Sequence, residues 1–468
     1  MERLQNRTLD VAAANGAAVP RYERGGLIPG VVHLGLGAFH RAHQAMVFDA
    51  LLSRGDTRWA VLGVAMRSTH VADSLAAQDG LYAVQIASRD GTHWQVPGAI
   101  VETCVAAREA PRVVQAIAAP STRWITLTVT EKGYGPGLAS LIVQGLVARR
   151  AAGLPGLTIA SCDNLSGNGR KLQALCEQGA PDAETALWIG ERCAFPNSMV
   201  DRIVPAATDE RLRAARESLG LKDDSALGTE AFWEWVIERR FVDAADGDLL
   251  ADAGVNVVDD VRPFEEAKLR MLNGSHTAMA CMGAVAGLAV ICDCISQPAI
   301  HTFVHGLMTH EVAPHVTRPD WQAYRDALLA RFANPALKHS VHQIATDSTQ
   351  KIPQRWPPSI LGQIGKGQPF ERLAFAAAAW MRYCTGESEN GHSYALLDPM
   401  AERVQALALA HAGDAVRTVH ALGSLVEVWG EAIARNDAWQ ARVEHWLARI
   451  HASGVLAAVE QLNRETSE

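Results

Sequence analysis

Four short apolar runs, at 31–34, 59–66, 124–130 and 157–164, punctuate the first part of the chain, and turn residues bound each of them. Helical patterns such as HQAMVFDALLSRG and LASLIVQGLVARRAAG lie between the runs. Strands that are apolar on both faces and separated by helices specify a parallel sheet covered by helices on both sides. From about residue 265 the pattern changes, and Ala- and Leu-rich amphipathic segments such as WQAYRDALLARFA, RLAFAAAAWMRYC and WQARVEHWLARIHASG continue to the end with little that reads as strand. A chain of 468 residues also exceeds the size at which one hydrophobic core stops growing. The expected architecture is an α/β N-terminal domain over 1–265 followed by a mostly α-helical C-terminal domain over 266–468.

Bulk properties narrow the partners. A net charge of -8 supplies no basic footprint for nucleic acid and favours a small-molecule role. The opening residues, MERLQNRTLDVAAANG, interleave charges and hold no continuous apolar stretch, so no secretory signal is expected. The longest apolar run, the fifteen residues 278–292, is short for a bilayer and suits a buried helix. Eight cysteines are scattered without a C-x-x-C pair, which reads as reduced thiols in a cytoplasmic protein with no metal site.

The first apolar run leads directly into Gly35-Leu36-Gly37 and a helical pattern. Strand, G-x-G and helix is the arrangement a pyrophosphate requires, because glycines admit close backbone approach and a helix N-terminus favours an anion. The same dipeptide spacing also serves plain tight turns, so the stretch alone leaves both readings open. The place of a third glycine is taken by His40, which predicts a helix starting slightly farther from its strand. Ala38, Phe39 and Arg41 then join Gly35 and Gly37 as candidate cofactor contacts. The second run ends in Arg67-Ser68, where an acidic residue commonly holds the ribose hydroxyl; Arg67 can accept a 2′-phosphate and points to NADP.

The stretch FEEAKLRMLNGSHTAMA, 264–280, concentrates polar groups on a segment that becomes very apolar. At about 100° per residue Lys268 and His276 lie roughly 80° apart, Asn273 about 60° beyond, and Glu265 between the first two. A polar cluster there costs free energy unless it is paired or used. A partly buried lysine has its pKa lowered toward the range of a general base, an asparagine amide can donate to a developing alkoxide, and a histidine can hold a hydroxyl. A surface Lys268–Glu265 pair and a satisfied core histidine are the competing structural reading. Asn164, at the end of the fourth run, falls where ligands sit in open α/β sheets. FPNSMVDRIVP presents Asp201 and Arg202, and NPALKHSVHQIATDSTQKIPQRW presents Lys338, His339, Gln343 and Lys351. Together these suit a polyhydroxylated substrate, neutral or anionic.

The stretches GLGAFHRAHQA, TEKGY, SCDN, NSMVDRIVP, TEAFWEWVIE, KLRMLNGSH and NPALKHSVHQIATDSTQKIPQR, spread from residue 30 to about 355, resemble the mannitol dehydrogenase family of polyol-specific long-chain dehydrogenases/reductases. They are most similar to its fructuronate/tagaturonate reductase (D-mannonate oxidoreductase) branch. The resemblance implies a Rossmann-like dinucleotide-binding domain, a helical substrate domain, and metal-independent hydride transfer with NAD or NADP, with NAD favoured. It implies Lys268 as general acid/base, Asn164 and Asn273 as the oxyanion-stabilising pair, and Glu265 as a proton-relay neighbour. It also implies substrate positioning by His276 and Asp201, with Lys351, Gln343 and His339 as further substrate contacts. Gln343 departs from the arginine of mannitol-oxidising members. The expected activity is reversible reduction of a keto-sugar or keto-hexuronate to the secondary alcohol. A polyol 2-dehydrogenase acting on neutral polyols and a non-catalytic nucleotide-binding regulator are the alternatives. No membrane or nucleic-acid partner is expected, and the chain is read as a monomer or weak homo-oligomer.

Overall fold

The computed structural model describes every residue except 89, 90, 336, 338, 467 and 468. Lys338 therefore lies outside the described residues. The chain divides into two compact units, Met1–Arg262 and Pro263–Glu468.

The strands of the first unit are β1 (Val31–Leu34), β2 (Val61–Ala65), β3 (Val84–Ser88), β4 (Gly91–Gln95), β5 (Ile100–Val105), β6 (Trp124–Leu127), β7 (Thr158–Ser161), β8 (Ser198–Asp201), β9 (Leu227–Glu230), β10 (Glu234–Glu238) and β11 (Asn256–Val258). Five of them form one parallel sheet in the order β5-β2-β1-β6-β7. The four apolar runs supply β1, β2, β6 and β7, and the doubly covered sheet expected from them is present. Val31, Val61 and Trp124 face one core with Phe48, Leu51 and Leu75. Val32, Leu34, Leu62, Ile125 and Ile159 face the other with Ile117, Ile142 and Leu146. The fifth strand, IVETCV, escapes the apolar-run criterion because it lies at the sheet edge, where Glu102 is exposed between half-buried neighbours. Two three-stranded sheets, β11-β10-β8 and β4-β3-β9, complete the unit. Their short strands carry too few apolar residues to stand out from loops.

Strand order places β2 and β5 on one side of β1, and β6 and β7 on the other. The winding reverses beside β1, so the C-terminal ends of β1 and β6 flank the position at which open α/β sheets bind ligands.

The second unit is helical, and its described residues hold no strand of three or more residues. The expected segments become helices Trp321–Phe332, Glu371–Tyr383 and Asp437–Ser453. The apolar run 278–292 is not one helix. Buried helix Gly274–Ala286 ends where Gly287 turns to φ 76°, the left-handed conformation that stops a helix, and Ile291–Ile295 starts another. Among the described residues no helix is long and apolar enough to cross a membrane.

One polar intrusion marks the sheet core. His33 on β1 is fully buried, and its ring stacks on that of His40 with centroids 3.3 Å apart. Burial lowers the His33 pKa to about 3, whereas an unfolded histidine titrates near about 6.5. The unfolded chain therefore binds a proton that the fold refuses. The associated stability is present above the unfolded value and is lost as pH falls from there toward the folded value. Relative to a His33→Gln variant, the wild type should lose about 1.4 kcal/mol per pH unit between pH 6.5 and 5, as read by urea unfolding.

Candidate active site

Gly35 and Gly37 follow β1, but they are glycines for different reasons. Gly35 sits at φ 106°, and a Cβ there would lie 2.2 Å from the Thr128 carbonyl oxygen on the segment after β6. No other residue fits. Gly37 has extended backbone, with φ −95° and ψ −179°, and the nearest atom to an added Cβ is the Gly35 oxygen at 3.8 Å. Nothing in the protein demands a glycine at 37. The open space before an exposed turn is what an approaching ligand backbone contact would use.

The helix after the turn begins at Ala38, immediately beyond Gly37, and not farther from the strand as the missing third glycine suggested. His40 is accommodated by stacking flat on His33 instead of by distance. Ala38 and Phe39 are half-buried beside the turn, and Phe39 stacks on His43 at 5.0 Å. Arg41 is corrected from the expectation of a cofactor contact. Its guanidinium is buried, donates to the Ser225 carbonyl at 2.6 Å and to the Gly37 carbonyl at 3.3 Å, and lies over the Tyr82 ring. It braces the turn from behind. Arg67 is exposed just beyond β2.

The other strand ends are equally constrained. Thr130, after β6, holds a φ of 64°, a strained conformation for a β-branched residue. Its N–H donates to the buried Asp163 carboxylate at 2.7 Å, and Tyr134 donates to the same group at 3.1 Å. Burial pushes the Asp163 carboxyl up while these hydrogen bonds oppose the shift. Asp163 thus locks the TEKGY segment to the end of β7 and leaves its neighbour Asn164 exposed at the sheet edge. Buried Asn168 donates to the carbonyls of Asp163 and Ser198 and accepts from the Ser198 N–H, so β8 and its terminal residue Asp201 are tied to the same edge. Asp201 is buried. Arg202 donates to the carbonyls of Ala42 and Glu230, fastening the segment beyond Asp201 to the helix after the glycine turn.

In the second unit the polar cluster does not lie on an α-helix. Residues Lys268–Asn273 form a π-helix between α-helices Arg262–Ala267 and Gly274–Ala286. On an α-helix Lys268 and Asn273 would point roughly 140° apart. The wider π turn, with its i→i+5 bonding, brings a pair five residues apart toward one face. The angular reading made from α-helical geometry is corrected accordingly, and in the direction that groups the two side chains. Lys268 and Asn273 are half-buried, and Glu265 and His276 are buried.

A further helix pins the π segment. Arg355, at the end of helix Ser348–Arg355, donates to the Asn273 carbonyl at 3.1 Å and to the Thr277 hydroxyl. Trp356 donates to the Gly274 carbonyl at 3.1 Å. Lys351 lies on the same helix, its Nζ 3.4 Å from the Ile344 carbonyl, and burial together with the neighbouring Arg355 charge lowers its pKa. The His276 ring packs at 4.8 Å from Phe332 and 5.7 Å from His339, whose pKa burial also lowers. Gln343 is exposed on helix Val341–Ala345. His33, Thr128, Thr130 and Arg355 went unremarked in the sequence because strand and basic-helix patterns accounted for them. Only the TEKGY stretch hinted at Thr130. Among the described residues no three His, Cys, Asp or Glu side chains gather as metal ligands.

The two glycines give a direct test. Gly35→Ala should lose about 2–3 kcal/mol of stability to strain and the Thr128 clash. Gly37→Ala should stay within about 0.5 kcal/mol of wild type in urea unfolding, while weakening dinucleotide binding measured by fluorescence titration.

The chain matches known proteins along most of its length. Residues 29–247 match the mannitol dehydrogenase Rossmann domain and residues 260–451 the mannitol dehydrogenase C-terminal domain. It is 36% identical to D-mannonate oxidoreductase of Escherichia coli (strain K12), over 90% of this chain and 92% of that protein. It is 34% identical to mannitol 2-dehydrogenase of Phaeosphaeria nodorum, over 98% of this chain and 86% of that one. The solved Pseudomonas fluorescens mannitol 2-dehydrogenase, a ternary complex with NAD and D-mannitol, is similar with a TM-score of 0.82 and 30% identity, covering 99% of this chain and 100% of the other. The chain belongs to the mannitol dehydrogenase family, and it is an oxidoreductase acting on CH–OH groups.

Proposed function

We propose that this oxidoreductase reversibly reduces a keto-sugar acid, a fructuronate-like keto-hexuronate, to the corresponding secondary alcohol, with Lys268 as the general acid/base. The observation that carries this reading is the π-helix Lys268–Asn273, which turns an amine and an amide toward one face. The similarity to D-mannonate oxidoreductase and the exposed Gln343 favour the sugar-acid branch.

A nicotinamide dinucleotide fits the first unit. Gly37 leaves open the space a Cβ would fill, and the turn lies at the reversal of strand order. Gly35, Gly37, Ala38 and Phe39 would hold the pyrophosphate side, and exposed Arg67 the adenosine ribose. When bound, the nicotinamide supplies or accepts the hydride at the carbonyl carbon. NAD is preferred because the similar solved enzyme holds NAD.

The chain's own groups handle the oxygen. As hydride reaches the carbon, negative charge grows on the carbonyl oxygen. The amides of Asn164 and Asn273 donate hydrogen bonds to it, a preorganised stabilisation worth about 3 kcal/mol per donor in comparable sites. Protonated Lys268 delivers its Nζ proton to that oxygen, so a C–H and an O–H bond form as the C=O π bond is lost. In the oxidative direction neutral Lys268 removes the same proton. Glu265, three residues before Lys268, exchanges the proton with solvent. His276 and Asp201 hold substrate hydroxyls. Lys351 faces the carboxylate end, where burial and the Arg355 charge lower its pKa and a substrate anion would offset the half-buried ammonium. His339 and Gln343 contribute the outer contacts.

Lys268→Ala should lower kcat by about a thousandfold, with the NADH dissociation constant held within about threefold of wild type. Unchanged turnover would remove Lys268 from the chemistry. A panel of fructuronate, tagaturonate, fructose and arabinitol, followed at the NADH and NADPH absorbance, fixes the substrate class. Turnover of a hexuronate above fructose is expected. The reverse order selects the neutral-polyol reading, which the similarity to mannitol 2-dehydrogenases favours. Cofactor binding without turnover of any member selects a non-catalytic role.

A further inference from the structure

The catalytic assignment leaves three polar side chains beneath the glycine turn without a role: buried His33 and His40 and half-buried Thr128. Two of them, His33 and Thr128, converge on a single atom. The Gly35 carbonyl oxygen accepts from the Gly37 N–H at 2.6 Å, the Thr128 hydroxyl at 2.7 Å and His33 Nε2 at 3.0 Å. Because a carbonyl only accepts, His33 carries its proton on Nε2, and Nδ1 then accepts from the Thr126 hydroxyl at 2.8 Å. Nε2 also lies 2.9 Å from the Thr128 hydroxyl oxygen, so its proton is shared between that oxygen and the Gly35 carbonyl, and burial keeps the ring neutral.

His40 occupies the position a third glycine would hold, yet it makes no hydrogen bond through either ring nitrogen to the described residues. What it does is stack: its ring lies 10° from parallel with that of His33. The face of His33 is thereby covered and its rotation blocked. A glycine at 40 would leave that face bare and free the ring.

We propose that His33, His40 and Thr128 are positioning residues for the dinucleotide, a clamp that holds the Gly35 carbonyl down toward the ends of β1 and β6. With its oxygen fixed on the sheet side, the turn cannot flip a carbonyl toward a pyrophosphate, which would repel it. His40 thus replaces the packing role of a glycine by an aromatic stack. The clamp rests on the dinucleotide reading given above, and it explains why a histidine is compatible with a site that normally calls for glycine.

The test compares NADH binding, by fluorescence titration, with amide hydrogen exchange of residues 35–41 in the cofactor-free chain. Thr128→Val and His33→Phe each remove one donor to Gly35, and each should weaken NADH binding about tenfold. Both should also raise exchange across the turn while the melting temperature shows a folded protein. His40→Ala should do the same, and His40→Phe, which keeps a flat ring and discards the nitrogens, should restore binding to within about threefold of wild type. Should His40→Phe fail to fold, the nearly isosteric Thr128→Val decides alone. Unchanged NADH affinity and exchange in Thr128→Val and His33→Phe would overturn the clamp and leave the dinucleotide reading intact. A wild type that binds neither NADH nor NADPH would overturn the dinucleotide reading itself, and the clamp's function with it.

Discussion

A Cβ at residue 35 would lie 2.2 Å from the carbonyl oxygen of Thr128, and this one close approach governs the first unit. It joins the exit of β1 to the exit of β6, the two central strands between which the winding of the sheet reverses. Everything at the sheet's C-terminal edge is referenced to that seam. Thr130 is held at positive φ two residues beyond Thr128, Asp163 fastens it to β7, and Asn168 carries the restraint on to β8 and Asp201. The edge is a chain of buried hydrogen bonds, each made to a backbone group that a loop would otherwise leave to solvent.

The second unit solves a related problem by a different device. An α-helix cannot point residues five apart in one direction, and a lysine and an asparagine at that spacing would be separated. Residues Lys268–Asn273 wind as a π segment, whose wider turn narrows that angle, and its far end is stabilised from outside by Arg355 and Trp356. Burial lowers the Arg355 pKa to about 10, a sign of how far that guanidinium is withdrawn from water to serve backbone carbonyls. Both units therefore depart from regular backbone geometry at the residues proposed to act, and both hold the departure with buried cationic or polar side chains.

Parts of this were readable in the sequence and parts were not, for identifiable reasons. Central strands buried on both faces declare themselves as apolar runs, so β1, β2, β6 and β7 were legible. Edge strand β5 and the short strands of the smaller sheets were not, because one exposed side dilutes their pattern. The glycine turn was legible, but not that the fold requires Gly35 and leaves Gly37 open, nor the fate of Arg41. An arginine beside a glycine turn looks like an anion ligand until the Ser225 carbonyl is seen to claim it from 184 residues away. The polar residues at 265, 268, 273 and 276 were recognisable as a group, but their angular relation was computed on the wrong helix.

By itself the sequence determined the two-part architecture, the glycine turn and the cluster of lysine, asparagine and histidine, since each follows from local periodicity or from a residue type with few alternatives. Only the tertiary structure decided which donors meet the Gly35 carbonyl, how His40 is tolerated where a glycine was expected, and that residues Lys268–Asn273 wind as a π-helix. Those outcomes depend on contacts between segments remote in sequence: β1 with β6, and the π segment with the helix ending at Arg355. Distances of that kind are set by packing, and no periodicity within a single segment encodes them.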